Sequence, residues 1–211
     1  MYKKTGILCI LAGAALIFSA LFLYTKNQKE DKEAGNEAVK ILEQWKEQEL
    51  TENREPEKTE ERSKEEKAEG RKTEERRMEK ESEKTVVIDG NAYIGRLQIP
   101  ALNLELPVMA QWSYENLRVA PCRQFGFAEE GNLVIAAHNY ASHFGRLNEL
   151  SLGDQVLFTD AKEVVWSYEV EKTETPSPDQ AEEVADSGYG LVLYSCNYSG
   201  QSRVAVFCRK L

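Results

Sequence analysis

Charge is distributed so unevenly along this chain that only one part of it can build a hydrophobic core. Residues 5–24 carry no charge, whereas residues 26–85 carry 16 Lys and Arg and 20 Asp and Glu. A stretch with that many charges cannot bury enough apolar surface to offset the conformational entropy lost on folding. The sequence therefore predicts an anchor over 1–25, a spacer over 26–88 and one folded domain over 89–211.

The uncharged segment is long enough to cross a membrane as a helix. At about 1.5 Å per residue it would span the hydrocarbon core, which is about 30 Å thick. Lys3 and Lys4 precede the segment and predict a cytoplasmic N-terminus with the rest of the chain outside. A cleaved signal peptide is the alternative, but Phe18 stands where such peptides place a small residue. We therefore expect a single-pass protein of the cell membrane with an extracytoplasmic domain.

The spacer is expected to be largely disordered or partly helical. Ala38, Leu42, Trp45 and Glu49 would share one face of a helix. That face could bind a partner helix, although sustained heptads are missing. The simpler interpretation is a charged stalk that holds the domain away from the membrane.

The domain has the pattern of a mostly β protein. Short apolar runs alternate with turns rich in Gly and Pro, and Ser113 is placed to cap a short helix over 113–119. The predicted strands are 92–99, 102–108, 132–138, 155–159, 164–170, 191–196 and 203–208. Seven or eight short strands with one or two short helices indicate a sandwich or a closed barrel.

Composition excludes several functions. Residues 86–211 hold 9 basic and 16 acidic side chains, so a basic nucleic-acid-binding surface is not expected. The chain has no Cys-x-x-Cys pair, which argues against structural zinc. Cys122 and Cys208 could form a disulfide, but two ordinary thiols are favoured.

No cofactor is expected either. Glu105, Asp160 and Glu163 could bind calcium, although scattered surface acids are the simpler account.

Three predicted strand ends carry side chains suited to acyl transfer. Cys196 ends one strand, Arg203 begins the next, and His138 ends a third. A thiolate is a strong nucleophile, a histidine can protonate a leaving amine, and a guanidinium can stabilise a carbonyl oxygen that becomes negative. His143 is a second candidate base, but it lies in a polar loop. Asn139 and Tyr140 follow His138 and could orient it or line a groove.

Three segments of the domain resemble the sortase family. They are YIGRLQIPALNLELPV, GNLVIAAHNYASHFGRLNELSLGD, and VLYSC followed by SRVAVFCRKL. The resemblance implies a closed eight-stranded β-barrel. It places the family's nucleophile at Cys196, its histidine at His138 and its arginine at Arg203, with Tyr194 and Ser195 beside the substrate.

The resemblance also implies a cysteine transpeptidase. Such an enzyme cleaves a Leu-Pro-x-Thr-Gly-like sorting signal after Thr, holds the acyl group as a thioester and passes it to an amine. The donors would be surface proteins or pilins, and the acceptor a peptidoglycan precursor or a pilin lysine of a Gram-positive-type wall. A hydrolytic cysteine peptidase and a non-enzymatic, anchored wall-binding module remain as alternatives.

The resemblance leaves the sortase class open. The segment 172–190 is too short for the long inserted helix of class B, and no second apolar span follows the domain as in the pilin-polymerising class C. We therefore expect neither typical class.

Overall fold

The computed structural model describes residues 2–52, 84–177, 184, 187–196 and 203–211. Within these residues the chain forms one long helix, α1 (Tyr2–Glu52), and nine strands. The strands are β1 (Val86–Ile88), β2 (Asn91–Ile99), β3 (Leu104–Met109), β4 (Cys122–Phe125), β5 (Leu133–Ala137), β6 (Gln155–Asp160), β7 (Val165–Glu174), β8 (Leu191–Cys196) and β9 (Arg203–Lys210). Short 3-10 turns lie at Pro100–Leu102, Asn116–Arg118 and Leu147–Glu149.

Eight of these strands close into a barrel. Their order is β2-β3-β4-β5-β8-β9-β7-β6, and β6 pairs back onto β2. The β3–β4 and β5–β8 pairs are parallel, and the other pairs in the ring are antiparallel. Strand β1 adds to the outside of the ring against β2. The predicted closed eight-stranded barrel is confirmed.

Two strands and a boundary differ from the prediction. Strands β1 and β4 were not expected, and the sheet begins at Val86 rather than after residue 88. The helix expected over 113–119 is reduced to a 3-10 turn, in which the amide of Asn116 donates to the Ser113 hydroxyl at 3.0 Å. Ser113 therefore accepts a hydrogen bond from the turn, although the N-cap residue of the turn is Glu115.

Apolar side chains pack in two layers. The barrel interior contains wholly buried Leu97, Leu133, Leu193 and Val206. A second cluster covers the outer face of the sheet, and it includes Trp45 from α1 together with side chains of several strands. Because strand side chains alternate between faces, residues on the same strands serve both layers.

The two halves of α1 have different surroundings. Along the first half, large apolar side chains such as Ile10, Leu16 and Phe22 are exposed. This half makes α1 long and apolar enough to cross a membrane, judged by length and composition. Exposure of such side chains is what a lipid-facing helix requires.

The second half of α1 packs against the barrel. One face of it buries Ala34, Ala38, Ile41, Leu42 and Trp45. This spacing of three and four residues is typical of an amphipathic helix that packs against a core through one apolar face.

Trp45 and an ion-pair network fix this half of the helix. The Trp45 ring meets Tyr93 edge-on at 6.4 Å between centroids and lies beneath the Arg96 guanidinium. Arg96 in turn pairs with Glu49 at 3.0 Å and with Glu163 at 2.6 Å.

These contacts correct the expectation of a stalk for residues 26–52. The helical face that the sequence predicted packs against apolar surface of the chain's own barrel. Burial of this face offsets the conformational entropy lost when the helix is ordered. The rest of the predicted spacer, 53–83, lies outside the described residues.

Candidate active site

The pairing of β8 with β9 places Cys196 opposite Arg203. These two residues are Cα partners at the end of the antiparallel ladder. The Arg203 guanidinium lies 5.8 Å from the centre of the Tyr194 ring, on the outer face of the barrel. The side chain of Cys196 lies outside the part of the molecule that the structure describes.

The pairing of β5 with β8 brings the histidine to the same end of the barrel. Their parallel register ends at Ala137 opposite Ser195. Cys196 follows Ser195 as the last residue of β8, and His138 is the first residue after the end of β5. The predicted nucleophile, base and cation therefore lie at the ends of three neighbouring strands, at one end of the barrel.

The other two cysteines of the domain are unsuited to nucleophilic chemistry. Cys122 and Cys208 are both free and buried, which agrees with ordinary thiols rather than a disulfide. Burial raises the pKa of each thiol to about 12. Since only the thiolate is a good nucleophile, neither is a candidate for the reaction.

His138 is half-buried, and its surroundings lower its pKa. Burial is the main cause that lowers its pKa, the positive charge of Arg118 lowers it further, and Glu30 opposes both. Its ring lies 4.8 Å from the ring of Tyr140. A half-buried imidazole just after a strand end can still exchange a proton with a bound substrate.

His143, the second candidate base, is wholly buried. Among the described residues neither of its ring nitrogens has a hydrogen-bond partner. Burial is the main cause that lowers its pKa to about 4; the nearby His138 lowers it too, and Asp31 opposes this. A neutral, enclosed imidazole cannot reach substrate, so the structure favours His138.

The loop after β5 is tightly folded, and this explains part of the sequence pattern. Phe144 is buried in the barrel core, and its amide donates to the carbonyl of His138 at 3.1 Å. The amide of Gly145 donates to the carbonyl of Tyr140 at 2.8 Å. A Cβ at Gly145 would overlap the carbonyl oxygen of Asn139, so only glycine fits there.

The predicted substrate-binding residues differ in accessibility. Asn139 is half-buried, whereas Tyr140, Tyr194 and Ser195 are buried. Of the four, Asn139 is the most accessible to a bound peptide.

Three charged residues near the histidine were not expected. They are Glu30 and Asp31 of α1 and Arg118 of the loop between β3 and β4. No local pattern marks Glu30 or Asp31 among the acids of their segment, because their role depends on how the helix docks.

Two of the three acids considered for calcium have other partners. Asp160 accepts hydrogen bonds from the amides of Lys162 and Val164 and from the Trp166 indole. Glu163 pairs with Arg96. Among the described residues, no group of three or more His, Cys, Asp and Glu could hold a metal ion.

Comparison with known proteins identifies the family. A family model described as the sortase domain matches residues 97–211, more than half of the chain. The chain belongs to the sortase family. It is similar to sortase A of Bacillus anthracis, with 30% identity over 115 residues that cover 52% of this chain and 54% of that protein.

Two solved structures are similar to this chain. Sortase C-3 of Streptococcus pneumoniae aligns with a TM-score of 0.52 and 24% identity, covering 62% of this chain and 71% of the other. Sortase C1 of Streptococcus agalactiae aligns with a TM-score of 0.49 and 20% identity, covering 59% and 70%.

The relatives do not assign a class. This chain spans about half the length of the curated relative that it matches, and the relatives include both sortase A and sortase C proteins. Residues 178–183 and 185–186, in the segment used to argue against class B, lie outside the described residues. The expectation of neither typical class stays a prediction.

Proposed function

We propose that this chain is a membrane-anchored cysteine transpeptidase that acts on a Leu-Pro-x-Thr-Gly-like sorting signal. The observation that supports the proposal is the strand register, in which Cys196 pairs with Arg203 and Ser195 pairs with Ala137, the residue before His138. The burial of Cys122 and Cys208 supports Cys196 as the nucleophile. Membership of the sortase family supports the reaction class.

In the first step, the Cys196 thiolate attacks the carbonyl carbon of Thr in the signal, at the Thr–Gly bond. The C–N bond breaks, a thioester forms, and the His138 imidazolium gives its proton to the leaving amine. Arg203 stabilises the oxygen that becomes negative in the tetrahedral intermediate. In the second step an amine attacks the thioester, His138 takes up its proton, and Cys196 leaves as thiolate.

The proposed location follows from α1. Residues 5–24 cross the membrane with Lys3 and Lys4 on the cytoplasmic side, and the barrel lies outside. The donors are surface proteins or pilins that carry the signal, and the acceptor is a cell-wall precursor or a pilin lysine. The enzyme requires no metal ion or other cofactor for these steps.

The test uses the full chain in detergent with a Leu-Pro-x-Thr-Gly-type peptide library and excess amine, with products read by mass spectrometry. We expect cleavage after Thr with amine capture. Cys196→Ala should abolish it, and His138→Gln should reduce it by about 10²–10⁴-fold. Cys122→Ala is the matched control, because it removes a thiol of the same domain that is buried away from the reaction.

Each of the other possible results of this assay would support a different interpretation. Hydrolysis without amine capture would support the cysteine peptidase. Absence of product, together with a Cys196 that ignores a thiol-reactive probe in folded protein, would support a non-enzymatic wall-binding module. Equal loss in Cys122→Ala and Cys196→Ala would mean that the loss reflects folding.

A further inference from the structure

The loop that carries His138 is held from outside the barrel by α1. The carboxylate of Asp31 accepts hydrogen bonds from two consecutive loop amides, Ala141 at 3.1 Å and Ser142 at 2.9 Å. The Ser142 hydroxyl donates to the backbone carbonyl of Asp31 at 2.9 Å. One residue of the helix therefore makes three hydrogen bonds to two neighbouring residues of the loop.

Two further contacts surround these bonds. The Tyr140 hydroxyl donates to the Glu30 carboxylate at 3.4 Å. A Cβ at Gly35 would lie 3.0 Å from the Cβ of Ser142, so the helix approaches the loop closely at this point. The helix therefore contacts the loop through several residues rather than through a single side chain.

The contact with Asp31 is transmitted to His138 through the loop itself. The Phe144 amide donates to the His138 carbonyl, and the His143 amide donates to the Tyr140 carbonyl. The centre of the Tyr140 ring lies 4.8 Å from that of His138 and 5.5 Å from that of His143. Displacing residues 141 and 142 would therefore shift the aromatic ring against which His138 rests.

We propose that Asp31 is a positioning residue for His138, so that α1 completes the active site. This inference rests on the proposed function of His138 in acyl transfer. Asp31 does not touch the reacting atoms. It fixes the loop tip and thereby the orientation of the His138 imidazole. A small misplacement of a catalytic group costs a large factor in rate. Since α1 runs unbroken from the apolar segment to Asp31, the membrane helix and the catalytic loop are mechanically connected.

A merely structural contact would change stability, whereas a positioning contact changes the chemical step. With full-length protein in detergent, we expect Asp31→Ala to lower kcat about 10- to 100-fold while KM changes less than about threefold. Asp31→Asn keeps one oxygen acceptor and should recover part of the rate. Glu33→Ala, which removes an exposed acid from the same helix, is the matched control and should retain the wild-type rate.

The pH profile gives a second readout. Freeing the loop would expose the His138 ring, so the limb of the kcat-against-pH profile that reports His138 should move upward toward the ordinary histidine value of about 6.5. An unchanged limb with unchanged kcat in Asp31→Ala would overturn the proposal, as would a rise in KM alone.

Amide hydrogen exchange over residues 138–146 separates this proposal from the proposed function, because it needs no turnover. We expect exchange there at least tenfold faster in Asp31→Ala than in Glu33→Ala. If the wild type showed no turnover dependent on Cys196, the proposed function would fall, and the exchange data would still decide whether Asp31 holds the loop. Equal exchange in the two variants would overturn the proposal.

Discussion

The two sides of the candidate active site are held in place by different kinds of structure. Cys196 and Arg203 face each other through backbone pairing of neighbouring strands, inside the region that defines the family. His138 begins a loop whose residue Ser142 is bound by Asp31, 111 residues earlier in the chain. The sheet-held side, formed by Cys196 and Arg203, is therefore fixed by the barrel. The helix-held side, formed by His138 and its loop, depends on a segment that precedes the residues matched by the family model.

This difference means that the two sides can be perturbed separately. A change on β9 alters the cation without moving the histidine loop. A change on α1 alters the loop without moving the strand register.

Substituting Arg203 should have the larger effect, because it removes the cation from the sheet-held side. We expect Arg203→Lys to lower kcat about 10²-fold, since a lysine ammonium cannot reproduce the planar set of donors of a guanidinium. Kinetics on full-length protein would measure this. Arg209→Lys is the control: Arg209 lies on the same strand, is exposed and pairs with Glu169. A wild-type rate in Arg203→Lys would show that Arg203 takes no part in the chemical step.

The sheet-held side could be predicted from sequence because its information is local. Apolar runs bounded by Gly and Pro located seven of the nine strands, and two of these runs place Cys196 beside Arg203 once they pair. Strand β1 was missed because it has three residues. Strand β4 was missed because it pairs with β3 through a single residue pair, Met109 and Cys122, and shows no clear alternation.

The helix-held side could be predicted only in part. The spacing of Ala38, Leu42 and Trp45 indicated a helical face, but no pattern in the chain showed that its partner would be the barrel itself. Asp31 is one of many acids in a charged segment, and its function appears only when the helix is docked. Tertiary contacts of this kind carry no signal in local composition.

Loosening the docked helix should have an intermediate effect. Trp45 is 1% exposed and contacts Tyr93 and Arg96. Trp45→Ala should therefore destabilise the protein by about 3–5 kcal/mol, measured as a shift in thermal unfolding. Activity should fall less than in Arg203→Lys, because the hydrogen bonds of Asp31 remain. Leu50→Ala, at an exposed apolar position of the same helix, is the control and should leave both unchanged. An unshifted transition in Trp45→Ala would mean that the helix does not dock through this ring.

The smallest effect is expected from His143, and only at acidic pH. Its pKa of about 4 in the folded protein lies below the ordinary value of 6.5, so the unfolded chain binds a proton between these values and the folded chain does not. Stability should therefore fall as pH decreases from about 6.5 to about 4, by roughly 3 kcal/mol in all, and lose nothing more from this group below that.

Comparison with His143→Phe isolates this contribution. The variant lacks the titrating group, and it should be as stable as the wild type near pH 7, because neither ring nitrogen of His143 has a hydrogen-bond partner among the described residues. His138 and Asp31, which act on His143 electrostatically, are present in both proteins. The unfolding temperatures of the two proteins should therefore diverge below about pH 6.5 in favour of the variant. Parallel curves down to pH 4 would mean that His143 is hydrated, and that the helix-held side of the site is more open than its packing indicates.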